Sequence, residues 1–111
     1  KLMQQLESQL PEFKYSVYDF YSSAYQRFLN GQKFGFKETQ IACCGSGDFH
    51  GDFTCEKKDE NFTVCSNPSD HLWFDAGHTT EAANRQFSEE FWGGSSNLVA
   101  PYNLKALFAM H

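Results

Sequence analysis

Asp70-His71-Leu72-Trp73-Phe74-Asp75-Ala76-Gly77-His78-Thr79-Thr80-Glu81-Ala82-Ala83-Asn84-Arg85 is the stretch on which the reading of this chain turns. It sets a carboxylate, Asp75, three residues before an imidazole, His78, with Gly77 between them. The apolar run Leu72-Trp73-Phe74 stands ready to anchor the loop on one side. An amphipathic helix is expected on the other, with Ala83, Phe87 and Phe91 spaced four apart on one face. A short D-x-x-H turn can bring the carboxylate onto the Nδ1–H of the histidine. That bond fixes the tautomer and leaves Nε2 free to accept a proton, which is half of a hydrolytic triad. Most D-x-x-H strings are merely a helix cap beside a surface residue. The neighbours on both sides make the catalytic reading of Asp75 and His78 worth carrying forward. Thr79 or Thr80 is the expected N-cap, and Gly93-Gly94 the stop.

Upstream, Leu2, Met3, Leu6 and Leu10 fall at helical spacing until Pro11. Phe13 to Tyr18 alternates as a strand does. Phe20, Ala24 and Phe28 then share a helical face with Tyr21 and Tyr25 beside it, a stripe expected to be core, and the helix ends at Asn30-Gly31. Helix, strand and helix with short joints predict a parallel α/β sheet. Four segments follow: a helix–strand–helix over 1–30, a loop region over 31–70, the Asp-x-x-His turn and helix over 71–94, and a tail over 95–111 expected to dock as a short helix. The opening, Lys1-Leu2-Met3-Gln4-Gln5-Leu6, reads like a helix already under way. The chain is therefore expected to be a processed piece of a longer protein.

The totals narrow the classes of function. A chain of 111 residues suffices for one domain near the small end. Twelve Phe, five Tyr and two Trp supply much area for burial. The formal charge is −5 and the basic residues are scattered. No basic stripe is present to displace counterions, which argues against nucleic-acid binding. No apolar run approaches the roughly 20 residues that span a bilayer. The first residues do not have the charged-then-apolar form of a signal peptide.

Cys43, Cys44, Cys55 and Cys65 crowd the otherwise aperiodic loop region. Such a loop needs tethering. Asn61-Phe62-Thr63 is an N-glycosylation sequon, and beside the cysteines it points to a secreted, oxidised setting, extracellular or vacuolar. Adjacent cysteines form a strained ring, so Cys43 and Cys44 are each expected to join one of Cys55 and Cys65; the sequence leaves both pairings open. A zinc set with His50 is the second reading, though the spacing is not C-x₂-C. Gly45-Ser46-Gly47 lacks the G-x-S-x-G form of a nucleophile loop, so Ser46 reads as a turn residue. A free-thiol hydrolase built on Cys43 or Cys44 is disfavoured by oxidation. His50, His71 and His111 have no evident partner and are expected at the surface, with His50 available to brace its loop.

The ordered set Leu10-Pro11, Asp19-Phe20-Tyr21, Phe34-Gly35-Phe36, Ala42-Cys43-Cys44-Gly45-Ser46-Gly47, Cys65-Ser66-Asn67-Pro68 and Leu72 to Asn84 resembles the C-terminal third of plant GDSL-type esterase/lipases of the SGNH hydrolase family. The resemblance implies an α/β fold, the C-terminal part of a three-layer α/β/α architecture. Its parallel sheet would have about five strands and be completed by an N-terminal portion outside this sequence. Residues 13–18 would be its last strand. It implies that Asp75 and His78 are the acid and base of a Ser-His-Asp triad whose serine lies in a Gly-Asp-Ser-Leu motif of that portion, with an ester or lipid as substrate. No metal or organic cofactor is implied, and this chain alone is expected to be inactive. Relatives of the myrosinase-associated and epithiospecifier-modifier type raise an alternative: a non-catalytic glycoprotein that partners a defence enzyme such as a myrosinase. One departure matters. The family usually has proline after the histidine, where this chain has Thr79. A third reading, a Cys-stapled domain acting alone, conflicts with the large apolar stripes.

Overall fold

A computed structural model describes residues 1–110, so His111 lies outside the described residues. Along the chain run α1 (Leu2–Gln9), β1 (Ser16–Tyr18), α2 (Phe20–Leu29), β2 (Cys44–Gly45), β3 (Thr63–Val64), α3 (Glu81–Gly93), β4 (Val99–Pro101) and α4 (Leu104–Phe108). Short 3₁₀ turns occupy Gly31–Phe34, Asp48–His50 and Pro68–Asp70. The chain divides into two compact units, one made of Lys1–Phe20 with Ser88–His111, the other of Tyr21–Phe87.

In the first unit β1 pairs with β4, antiparallel, with Val17 opposite Ala100 and Tyr18 opposite Val99. The ladder is extended by the Asp19 N–H donating to the Leu98 carbonyl at 2.7 Å. Val99 and Tyr15 are buried. The Tyr18 hydroxyl donates to Glu90 at 2.7 Å and its ring stacks on Phe91. Asn103 caps α4 by accepting from the Ala106 N–H, and its amide donates to the Gly94 carbonyl. Helix α1 stops at Gln9, before Pro11, and buries none of its residues, so its leucine stripe remains largely exposed.

The second unit is held by its cysteines. Cys43 pairs with Cys65 and Cys44 with Cys55, which resolves the pairing left open by the sequence and leaves no thiol for zinc. The β2–β3 ladder, Cys44 opposite Val64, continues directly from the Cys43–Cys65 bridge, and its Cys44 carries the other one. The Cys43 and Cys44 N–H groups donate to the carbonyls of Trp73 and Phe74, and Leu72 donates to Glu38. The segment before Asp75 is therefore pinned by backbone bonds to the disulfide pair. Phe36, Leu72, Ala83 and Phe87 form the apolar core with Cys43 and Cys44. Arg27, 3% exposed, lies between the rings of Phe34 and Phe87 at 4.4 and 4.9 Å. Its guanidinium donates to Gln86, to the Ser23 carbonyl and to the Ser23 hydroxyl. At Gly35 a φ of +86° closes the 3₁₀ turn, a conformation that glycine takes without a Cβ clash.

Three expectations are corrected. The named strands of the described residues form two antiparallel two-stranded ladders, not a parallel sheet, and the one parallel pairing is an isolated bridge between Glu38 and His71. The architecture is a small mixed α/β one. The reason is local: the expected tail is not only a short helix, because Val99–Pro101 folds back first and supplies β1 with the nearest available edge. The strand expected over 13–18 is regular only from Ser16. Helix α2 turns Ser23, Ala24 and Arg27 inward, so of the expected face Phe20, Ala24 and Phe28 only Ala24 is buried. Tyr21, Tyr25 and Phe28 instead stack successively on its outer side. A stripe of large rings on one face looked like core because periodicity reports which residues share a face, not what covers it.

Candidate active site

The Asp75–His78 turn is a tight backbone hairpin before it is anything else. The N–H groups of Phe74 and Asp75 both donate to the His78 carbonyl, at 2.8 and 3.3 Å. Trp73 and Thr79 form an antiparallel bridge across its base, and the Thr80 N–H donates to the Leu72 carbonyl. The Trp73 indole donates to the Thr39 carbonyl at 2.8 Å, which fixes the near side of the turn. On the far side Thr80 is the N-cap of α3. Its hydroxyl accepts from the Ala83 N–H at 3.2 Å and donates to the His71 carbonyl at 2.7 Å. The turn is thus clamped between a disulfide-bound segment and a capped helix.

Within that clamp Asp75 Oδ1 accepts from His78 Nδ1 at 2.8 Å and from the Gly77 N–H at 2.9 Å. Burial pushes the Asp75 carboxyl up. The Gly77 N–H, the hydrogen bond and charge of the His78 ring and the His78 N–H together outweigh that and hold it below its ordinary value. An ionised carboxylate only accepts, so Nδ1 carries the proton and Nε2 keeps its lone pair. The side chain of Asp75 is 21% exposed and that of His78 is 77% exposed. The carboxylate is sheltered and the imidazole reaches out. Among the described residues Nε2 has no hydrogen-bond partner. Such an arrangement can take a proton at Nε2 and stabilise the resulting cation through Asp75.

Asn84, on the first turns of α3, grips the residue after the histidine. The Thr79 hydroxyl donates to Asn84 Oδ1, and the Asn84 amide donates back to the Thr79 carbonyl. That pair of bonds restrains the position where the resembling family has proline. Sequence reading missed it because an Asn five residues from a Thr is not a marked spacing. It also missed a second Asp–His contact. His71 Nδ1 lies 2.7 Å from Asp70 Oδ1, with 17% of the His71 side chain exposed, so His71 is a braced residue and not the partnerless surface one expected. Adjacent residues rarely meet in a regular element; the 3₁₀ turn Pro68–Asp70 is what folds Asp70 back.

The remaining expected residues fall elsewhere in this unit. Ser46 shares a 2.7 Å bond with the Thr54 hydroxyl and acts as a turn residue. His50 Nδ1 bonds the Ala42 carbonyl at 2.8 Å, bracing the loop. Asn61 is exposed. Among the described residues no group of three or more His, Cys, Asp and Glu is placed to hold a metal, and no helix is long and apolar enough to cross a membrane.

Comparison with known proteins gives a consistent set of names. The chain is 42% identical over 99% of its length to GDSL esterase/lipase 4 of Arabidopsis thaliana. It is 46% identical over 97% of its length to a GDSL lipase of Tanacetum cinerariifolium. It is 33% identical over 99% to an Arabidopsis protein named inactive GDSL esterase/lipase-like protein 25. It spans 30%, 29% and 25% of these relatives respectively. No protein-family model matches the chain, and no solved structure matches it.

Proposed function

Homologous over nearly its whole length to part of the GDSL esterase/lipases, the chain is one that we propose supplies the acid and base of a Ser-His-Asp triad for carboxylic ester hydrolysis. The 2.8 Å bond between Asp75 and His78, with Nε2 turned outward, is the observation that carries this reading. The serine and the oxyanion donors come from a portion of the protein outside this sequence, and that portion supplies the parallel sheet of a three-layer α/β/α fold, which the ladders of this chain do not form by themselves. The exposed rings of Tyr21 and Tyr25 on α2 favour such a cover, since contiguous apolar surface of this kind is ordinarily buried by something. This chain without its complement is inactive.

In the reaction His78 Nε2 takes the hydroxyl proton of the serine as its oxygen attacks the acyl carbonyl of an ester or lipid. The imidazolium is held by Asp75, which keeps its negative charge throughout. The proton then passes to the leaving alcohol, and water, activated by the same nitrogen, frees the acid. The two disulfides and the exposed sequon at Asn61 favour a protein of the secretory pathway, extracellular or vacuolar, carrying a glycan at Asn61. The test is hydrolysis of a short-chain p-nitrophenyl ester by the assembled protein. His78→Ala should lower kcat by about 10³-fold or more; activity that survives the substitution removes His78 as the base.

A second reading has its own support: Thr79 stands where the family's proline is usual, and one relative is named inactive. It makes the protein a catalytically weakened or inactive glycoprotein that binds a defence enzyme such as a myrosinase. A replaced serine in the complementary portion, with no esterase activity, would favour it.

A further inference from the structure

Beside the Asp75–His78 turn stands a residue that neither the triad nor the core uses. Phe53 is 70% exposed, with one edge of its ring turned to the Asp75–His78 turn. Its Cε1 atom lies 3.5 Å from where a Cβ on Gly77 would be, so the ring edge is in van der Waals reach of the residue before His78. Phe53, Asp75 and Ala76 also line a shallow depression of about 110 Å³ with Asp52, Cys55 and Lys57. The backbone that carries it is held on both sides. Two residues later, Cys55 is bonded to Cys44, whose N–H donates to the Phe74 carbonyl at 2.7 Å. One residue earlier, the Asp52 N–H donates to the Ser46 carbonyl. The flanking backbone is bent in an uncommon way, with positive φ at three non-glycine residues, Phe49, His50 and Glu56. Such conformations are disfavoured for residues with a Cβ and persist where the surroundings impose them. The outcome is an aromatic side chain that faces solvent beside the Asp75–Gly77 arm of the turn, one residue from His78.

We propose that Phe53 is a specificity-determining residue that contacts the apolar alcohol portion of the ester. This rests on the hydrolase reading above. The side of the bond follows from the chemistry: His78 must return its proton to the leaving oxygen, so groups flanking the His78 turn flank the leaving alcohol. An aromatic wall there rewards a longer or bulkier alcohol and is indifferent to a short one.

The experiment uses the assembled protein and two ester series. One holds the acetyl group and lengthens the alcohol, from ethyl acetate to hexyl acetate. The other holds the ethyl group and lengthens the acid, from ethyl acetate to ethyl hexanoate. Phe53→Ala should lower kcat/KM on hexyl acetate about tenfold, the worth of a lost apolar contact in a pocket, while ethyl acetate changes less than twofold. Phe53→Leu, which keeps an apolar side chain, should fall between the two and guards against a folding failure of the alanine variant. An equal fall on every ester, no change on any, or a loss confined to the acid series overturns the assignment. Hexyl acetate turnover that survives His78→Ala overturns the hydrolase reading instead, and this assignment falls with it.

Discussion

Replacing Asp75 by Asn removes one charge and little else, which makes it a clean probe of the turn. In the native turn a single oxygen, Oδ1, receives both the Gly77 N–H and His78 Nδ1. An asparagine whose Oδ1 takes the same place keeps both bonds and the same tautomer. What is lost is the negative charge beside the imidazolium that forms during turnover. At about 4 Å this is worth roughly 1 kcal/mol in water and about 4 kcal/mol at an effective dielectric of about 20. His78 is solvent-facing in this chain, so the smaller figure applies to it alone. Where substrate and a complementary portion cover the imidazole, the larger one does. The expected result is a fall in kcat of about 10³-fold on a short-chain p-nitrophenyl ester, with KM little changed. Stability should fall by only about 2 kcal/mol, because two charge-assisted bonds become neutral ones. That stability difference has a sign in pH. The Asp75 carboxyl is held below its ordinary value, so its contribution is complete above the unfolded pKa and is lost as pH falls through the folded one. The melting difference between the native protein and Asp75→Asn should be constant near neutrality and close up below about pH 4. Asp70→Asn is the control. His71 Nδ1 also reaches the Asn67 carbonyl at 3.2 Å, and its ring is largely covered, so kcat should hold. An Asp75→Asn variant within fivefold of native kcat, or an Asp70→Asn variant that loses activity in its place, would refute the reasoning.

Two further outcomes follow from the second unit. Arg27→Ala should destabilise by roughly 3 kcal/mol, seen as a lower urea midpoint at unchanged slope, since it removes a buried ring contact and leaves Gln86 and Ser23 without their donor; Arg27→Lys should recover little, because a point charge cannot stack between Phe34 and Phe87. Opening the Cys44–Cys55 bridge, whose cysteines are 11 residues apart, should cost about 3 kcal/mol through freed chain entropy, and a thiol reductant should lower the melting temperature accordingly.

Some of this was legible before any coordinates. The spacing of Asp75 and His78 is a property of the covalent chain, and three residues with one glycine can close a hydrogen-bonded turn wherever the ends are held. The helix after it announced itself through the Thr79-Thr80 pair, one of which had to be the cap, and the Ala83–Phe87–Phe91 period. The cysteine count, with the strain of an adjacent ring, reduced the disulfides to two choices. These features depend on neighbours within a few residues, where sequence distance and spatial distance are nearly the same.

What the sequence left open was set by partners far along the chain. β1 has a strand pattern, but a pattern does not name the edge it will meet; Val99–Pro101 took it, antiparallel. Arg27 sits in the last turn of a helix, an ordinary place for a solvated cation, and only the approach of Phe34 and Phe87 buries it. Phe53 looks like any aromatic in a polar loop until the Cys44–Cys55 bridge sets its ring against Gly77. Local sequence determined where a carboxylate and an imidazole would join, since that bond closes within one turn. Which residues surround that bond is decided by tertiary structure, because burial and ring contacts are made by groups that only the folded path brings within a few ångströms.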